Sequence, residues 1–161
     1  MAEIKHWARE EYEMKTVLVA IVLFSIAVIS TPVQADTAVH PAKISAGDMS
    51  GALFESPDTI RTEGQDGSTT LDITSLLSSD GKFASGMYRS GKSRFEVTEP
   101  YGVDEFMYFL EGGVTLTSSD GTVTEIESGD AVTIPKEWTG IWETAGYTKI
   151  WVIYSADGSG L

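Results

Sequence analysis

The chain contains no cysteine. Disulfides, thiolate metal sites and a cysteine nucleophile go with it. Histidine is nearly as scarce. Among 161 residues there are two, His6 and His40, both in the first quarter, so no Ser-His-Asp set can be assembled in the body of the protein. Positive charge is also thin, with 11 Lys and Arg against 24 Asp and Glu and a formal charge of −13. Nucleic acid and anionic membrane surfaces need clustered Lys and Arg, and no basic patch exists, so neither is expected as a partner. No glycine loop leads into a helix to cradle phosphate, and there is no internal repeat or convincing amphipathic helix beyond residue 35.

One apolar run stands out. Residues 1–13 are polar, Met14-Lys15 follow, and Thr16–Ser30 (TVLVAIVLFSIAVIS) lead into Thr31-Pro32-Val33-Gln34-Ala35. A cation, a short apolar run and small residues before a Val-x-Ala site describe a secretory signal peptide. The run is shorter than the ~20 residues that span a bilayer core. The expectation is therefore an extension over 1–13, where Met14 is the natural start, a signal peptide over 14–35 cleaved after Ala35, and a periplasmic or secreted protein with no membrane contact after cleavage. An uncleaved N-terminal anchor is the rival reading, and it too places the globular part outside the cytoplasm. Cleavage would leave His40, in the leading tail, as the sole histidine.

The rest reads as all-β. Residues 36–50 look like an extended lead-in, and 51–156 one barrel domain. Gly51–Glu55 is a first strand, Arg61–Thr70 a loop rich in Gly, Asp, Ser and Thr, and Leu71–Leu77 either a strand or one helical turn. Lys82–Arg89 and Arg94–Thr98 are strands. So are Glu105–Leu110, Val114–Thr117, Thr122–Ile126 and Ala131–Ile134, separated by Gly112-Gly113, Asp120-Gly121 and Gly129-Asp130. Such glycine pairs supply the backbone freedom tight turns require, and short strands at this spacing suggest a sandwich or barrel. Thr139–Thr144 and Tyr147–Ser155 flank a break at Ala145-Gly146, and 157–161 is a flexible tail. Period-two alternation puts Glu105, Met107 and Phe109 on one face of their strand and Phe106, Tyr108 and Leu110 on the other. Both faces are largely apolar, which suits an interior on one side and a second layer or partner subunit on the other.

Glu105, Gly112, Gly129-Asp130 and Pro135 resemble the two-motif signature of the cupin superfamily. Asp104-Glu105-Phe106, Leu110-Glu111-Gly112, Ile134-Pro135, Gly140-Ile141-Trp142-Glu143 and Lys149 are similar to the small cupins related to ureidoglycine aminohydrolase and the ethanolamine-utilisation cupin, over roughly Gly86–Tyr154. The resemblance implies a small jelly-roll β-barrel with an internal pocket, commonly paired into a homodimer through its outer sheet. Metal-binding cupins carry two histidines six and four residues before the glutamate and a third five after the proline. Those positions are Glu99, Tyr101 and Gly140 here. Only Glu105 is kept, so no metal and no cofactor is expected; Glu99 and Glu105 are the ligands if a hard ion binds.

Within the barrel, Glu105 is the candidate acid or base, with Tyr101 and Lys149 beside it. Burial on an apolar wall would favour the neutral carboxyl, whereas a Lys149 partner would keep it ionised. Lys149 shares its strand face with Trp151 and Ile153, or else extends from the barrel end to water. Glu99, Tyr88, Met107, Trp138, Trp142 and Trp151 are the candidate ligand-binding residues, and Trp138 is placed at the pocket mouth; rings of this kind cover apolar or sugar-like faces, although Trp142 and Trp151 equally suit core packing. The leading functional reading is an exported protein that binds a small polar or sugar-like molecule. The alternatives are a metal-independent enzyme using Glu105 as acid or base, and a structural or protein-interaction module.

Overall fold

A computed structural model describes residues 38–64 and 67–161; the extension and signal-peptide assignments lie outside the described residues. Among the described residues, eight strands form one antiparallel sheet: β1 (Ile60–Glu63), β2 (Thr69–Leu77), β3 (Phe83–Ser90), β4 (Ser93–Val97), β5 (Asp104–Ser118), β6 (Val123–Ile126), β7 (Ala131–Ile134) and β8 (Gly140–Tyr154). The order along the sheet is β1-β2-β3-β8-β5-β6, with β4 also paired to β8 and β7 to β5.

The two long strands make the barrel. The C-terminal half of β8 pairs with β3 and its N-terminal half with β4; the N-terminal half of β5 pairs with β7 and its C-terminal half with β6. Each long strand therefore belongs to both walls of a jelly roll, and it must bend between them. The bend is where glycines stand. Buried inward-facing residues in β5 are Glu105, Met107 and Phe109 before Gly112-Gly113, then Val114 and Leu116 after it; in β8 they are Trp142 and Thr144, then Tyr147, Lys149 and Trp151 after Gly146, while Thr148 is buried on the outer face. The inward parity inverts at each glycine, so both halves keep the same face inside. A side chain could not stand at Gly112: its φ is 67° and a Cβ would lie 2.0 Å from the Gly146 carbonyl oxygen. Gly112-Gly113 and Ala145-Gly146 were expected to end strands; instead they are irregularities within continuous ones.

Ahead of the barrel, Ser45 and Asp48 form a capping box that starts a one-turn helix, α1 (Ala46–Met49), so the lead-in is not wholly extended. Gly51–Glu55 is not a strand. Gly51 takes φ 117° and opens a 3-10 turn over Ala52–Glu55 that sets Phe54 against Ile73 and Met87 on the outer face of the sheet. Ile44, Leu53, Leu71, Leu110 and Ile150 pack around that cluster, so the second layer over part of this face is the chain's own N-terminal segment. Part of the segment assigned to a loop, Arg61–Glu63, belongs to β1, paired with β2 in the register Ile60↔Asp72. All four β1 residues are exposed, so this edge strand has no alternation to read. Leu71–Leu77 is strand. In the tail the exposed Asp157 carboxylate accepts from the Ser155 and Ser159 hydroxyls and the Ser159 amide, and these hydrogen bonds draw its pKa down to about 2.

The main core lies between the two walls, built from Met107, Phe109, Val114, Leu116, Ile126, Ile134, Trp142 and Tyr147. The outer face keeps Phe106, Tyr108 and Tyr154 substantially exposed.

Candidate functional site

The inner face of the β2-β3-β8-β5 wall follows from the register. Asp72 lies opposite Tyr88, and Tyr88 opposite Lys149, which makes one row across three strands; Thr70, Ser90 and Tyr147 form the next row, and Thr74, Gly86, Trp151 and Met107 another. This wall and the facing part of β4 enclose a partly open cavity of about 560 Å³.

Its floor is an ion pair. Lys149 Nζ donates to Glu105 Oε1 at 2.7 Å, with both side chains almost fully buried at 6% and 4% exposure. Tyr101 donates its hydroxyl to the other oxygen, Glu105 Oε2. The carboxylate thus faces one cation and one phenol donor. Lys149 Nζ also meets Met107 Sδ at 2.9 Å and sits 5.4–5.8 Å from the ring centroids of Tyr88, Trp142 and Tyr147. Ring faces carry partial negative charge and attract a cation at this range. Burial draws the Lys149 pKa down, and Glu105 and then Asp72 oppose that shift. Burial, reinforced by the Glu105 charge, raises Tyr101 above the ordinary phenol range; Tyr147 and Tyr88 are raised too, by burial first. All three phenols therefore stay protonated and able to donate.

The second carboxylate is Asp72. Its Oδ1 accepts from Trp151 Nε1 at 3.2 Å, and among the described residues no Lys or Arg pairs with it. Partial burial raises its pKa, partly offset by the Trp151 hydrogen bond and the Lys149 charge. The Trp151 ring reaches Asp72 by lying over Gly86, where a Cβ would stand 2.6 Å from the ring and 2.1 Å from the Ile73 carbonyl oxygen. At the mouth, the half-exposed Phe95 stacks on Trp142 with centroids 5.9 Å apart and planes 11° from parallel. The Trp142 indole N–H is buried with no partner that satisfies hydrogen-bond geometry, although it lies near enough to ease Tyr147 ionisation. Gly160 and Leu161 close one side.

Of the residues singled out from the sequence, Glu105, Tyr101 and Lys149 meet one another, and Tyr88, Trp142 and Trp151 line the cavity with them. Met107 lies beneath the ammonium as part of the core. Glu99 does not join them: it is exposed in the stretch before β5 and lines no part of the cavity. Trp138 is not at the mouth. It donates Nε1–H to Ser118 at 3.1 Å, and its ring stands 76° from the plane of the Tyr101 ring, both packed against the core. Asp72, Tyr147 and Phe95 were missed. Asp72 was within reach, because a lone carboxylate in Thr69–Leu77 stands out once that stretch is read as a strand.

The residues at the metal-binding positions do not fit a divalent ion. Position 140 is a glycine, Glu99 faces solvent, and Glu105 is engaged by an ammonium and a phenol. No group of three His, Cys, Asp or Glu able to hold a metal occurs among the described residues.

The family model of the EutQ-like cupin domain matches residues 77–149. No curated protein matches the chain. Among solved structures it is similar to the EutQ protein of Clostridium difficile, at 21% identity over 62% of this chain and 78% of that one, with a TM-score of 0.49. It is similar to a DUF861-family protein of unknown function from Pseudomonas syringae, at 16% identity over 59% of this chain and 43% of that one (TM-score 0.53). A protein of unknown function from Rhizobium leguminosarum shares 25% identity over 73% of this chain and 99% of that one (TM-score 0.51). The latter two show a shared fold.

Proposed function

We propose that this chain, a small cupin-superfamily protein of the ethanolamine-utilisation cupin type, is an exported protein that binds a small polar organic molecule inside its barrel. One observation carries the reading: a cavity of about 560 Å³ is bordered by aromatic rings and by polar groups already fixed in place by one another. A core that serves stability alone is filled to crystal-like density. Open space with a few converging polar groups among rings is the make-up of a ligand site. Export rests on the pattern of residues 14–35. Pairing of two copies is proposed at the uncovered outer face that carries Phe106, Tyr108 and Tyr154.

Binding is favoured over acid–base catalysis by Glu105. A general acid or base must reach the proton it moves, and both oxygens of Glu105 are already engaged, by Lys149 and Tyr101. A pure interaction module would have no use for the cavity. Native mass spectrometry on protein purified from its own host tests the reading. The expected result is a co-purifying small organic molecule that Trp142→Ala reduces. Protein that carries no such molecule, and whose melting temperature no small polar compound raises, would overturn it.

A further inference from the structure

The cavity's charges do not balance. Two carboxylates, Asp72 and Glu105, face it with one ammonium, Lys149. Glu105 and Lys149 satisfy each other at 2.7 Å. That leaves Asp72 partly buried on a wall of rings, held by the neutral Trp151 indole but paired with no cation among the described residues. A desolvated carboxylate without a counter-charge is unfavourable, and a ligand that brings the charge relieves it. The same wall already shows how it holds an ammonium: Lys149 Nζ sits among Tyr88, Trp142 and Tyr147 with a carboxylate in contact. Tyr88 separates Asp72 from Lys149 in the cross-strand row. Two strand spacings, about 10 Å between backbones, therefore lie between Asp72 and Lys149. A second cation at Asp72 is flanked by the same phenol and stands apart from the first.

We infer that the cavity selects a small organic monocation, an amine that pairs with Asp72 against the Tyr88 and Trp151 rings. The inference rests on the binding reading above and narrows it: with such a ligand bound, the side-chain charges in the cavity sum to zero. An anionic ligand would add to the excess of negative charge, and a neutral one would leave Asp72 uncompensated.

The test is isothermal titration of the protein with three compounds on one frame: tyramine, tyrosol and 4-hydroxyphenylacetate, whose side chains end in an ammonium, a hydroxyl and a carboxylate. Tyramine is expected to bind at least tenfold more tightly than tyrosol, with 4-hydroxyphenylacetate weakest. Asp72→Asn, checked by near-ultraviolet circular dichroism for an intact fold, should bring tyramine to within about threefold of tyrosol. The order among the three on the unaltered protein tests the inference even if that variant fails to fold. Equal binding of all three, or tyrosol or 4-hydroxyphenylacetate binding best, overturns the cation and leaves the binding site. No binding by any of the three overturns the cation and counts against the site as well.

Discussion

Glu105→Gln removes the negative charge that faces Lys149 while keeping nearly the same volume. The amine remains at about 5% exposure on the cavity floor, with Asp72 beyond ion-pair distance. Burial already draws its pKa down, and the largest opposing influence is Glu105. Without that influence the amine folds neutral. Stripping a proton from a group whose free pKa is about 10.4 costs about 1.4 kcal/mol per unit, hence about 4–5 kcal/mol at pH 7. Removing one member of a buried pair typically costs about 3–5 kcal/mol, so the two routes agree. The pH dependence separates this mechanism from a packing defect. In the variant the folded-state pKa of Lys149 lies below its unfolded value, so the unfolded chain binds the extra proton across the window between them. Stability then rises with pH through that window, and at pH 9 the deficit falls to about 2 kcal/mol. The cavity phenols do not interfere, since Tyr88, Tyr101 and Tyr147 all keep their protons beyond the usual range. Urea denaturation of both proteins at pH 7 and pH 9 reads the difference from midpoints at constant slope. A loss under about 1 kcal/mol at pH 7, or an equal loss at both pH values, would refute the buried pair as the source of the effect.

Four further outcomes follow from the same geometry. Combining Glu105→Gln with Lys149→Met should cost less than the two single changes added together, by about 2 kcal/mol or more, because the double variant strands no charge; strict additivity in a denaturation cycle would show the pair is not coupled. Gly86→Ala forces Trp151 off the sheet and should destabilise by at least about 2 kcal/mol with a shift in tryptophan emission, whereas a variant with unchanged melting and spectrum would mean that the ring does not lie over this position. Trp138→Phe should leave binding of cavity ligands within about twofold in titration calorimetry, with about 1 kcal/mol of stability lost with the Ser118 hydrogen bond; a large affinity loss would return Trp138 to the mouth. Phe106→Glu with Tyr108→Glu should convert a paired protein to single copies in analytical ultracentrifugation, since two charges on the exposed aromatic face oppose its burial, and an unchanged dimer would place the contact elsewhere.

The barrel was legible because its strands alternate. Glu105, Met107 and Phe109 could be assigned to one face from spacing alone, and all three are buried. What escaped was continuity. Gly112-Gly113 and Ala145-Gly146 look like turns in sequence, since the same backbone freedom that closes a hairpin also lets a strand bend without ending. Only the pairing partners on both sides, β7 then β6 for β5 and β3 then β4 for β8, distinguish the two. β1 was missed for the opposite reason: an exposed edge strand has no buried face to leave a period in the sequence.

The site shows the same limit at finer scale. Burial of Glu105 and pairing with Lys149 were open alternatives with opposite consequences for the carboxyl, because nothing local relates positions 105 and 149. The answer depends on β5 lying beside β8, a contact 44 residues apart in the chain. Once those strands are adjacent, the row Asp72–Tyr88–Lys149 is fixed by register alone, and the unpaired carboxylate at its far end appears. The feature that bears most on ligand charge was therefore encoded in strand order rather than in any motif. A change that shifts the β2–β3 register by one residue would turn Asp72 to the outer face. Such a change should abolish any preference for a cationic ligand while leaving the Glu105–Lys149 pair, held by β5 and β8, intact.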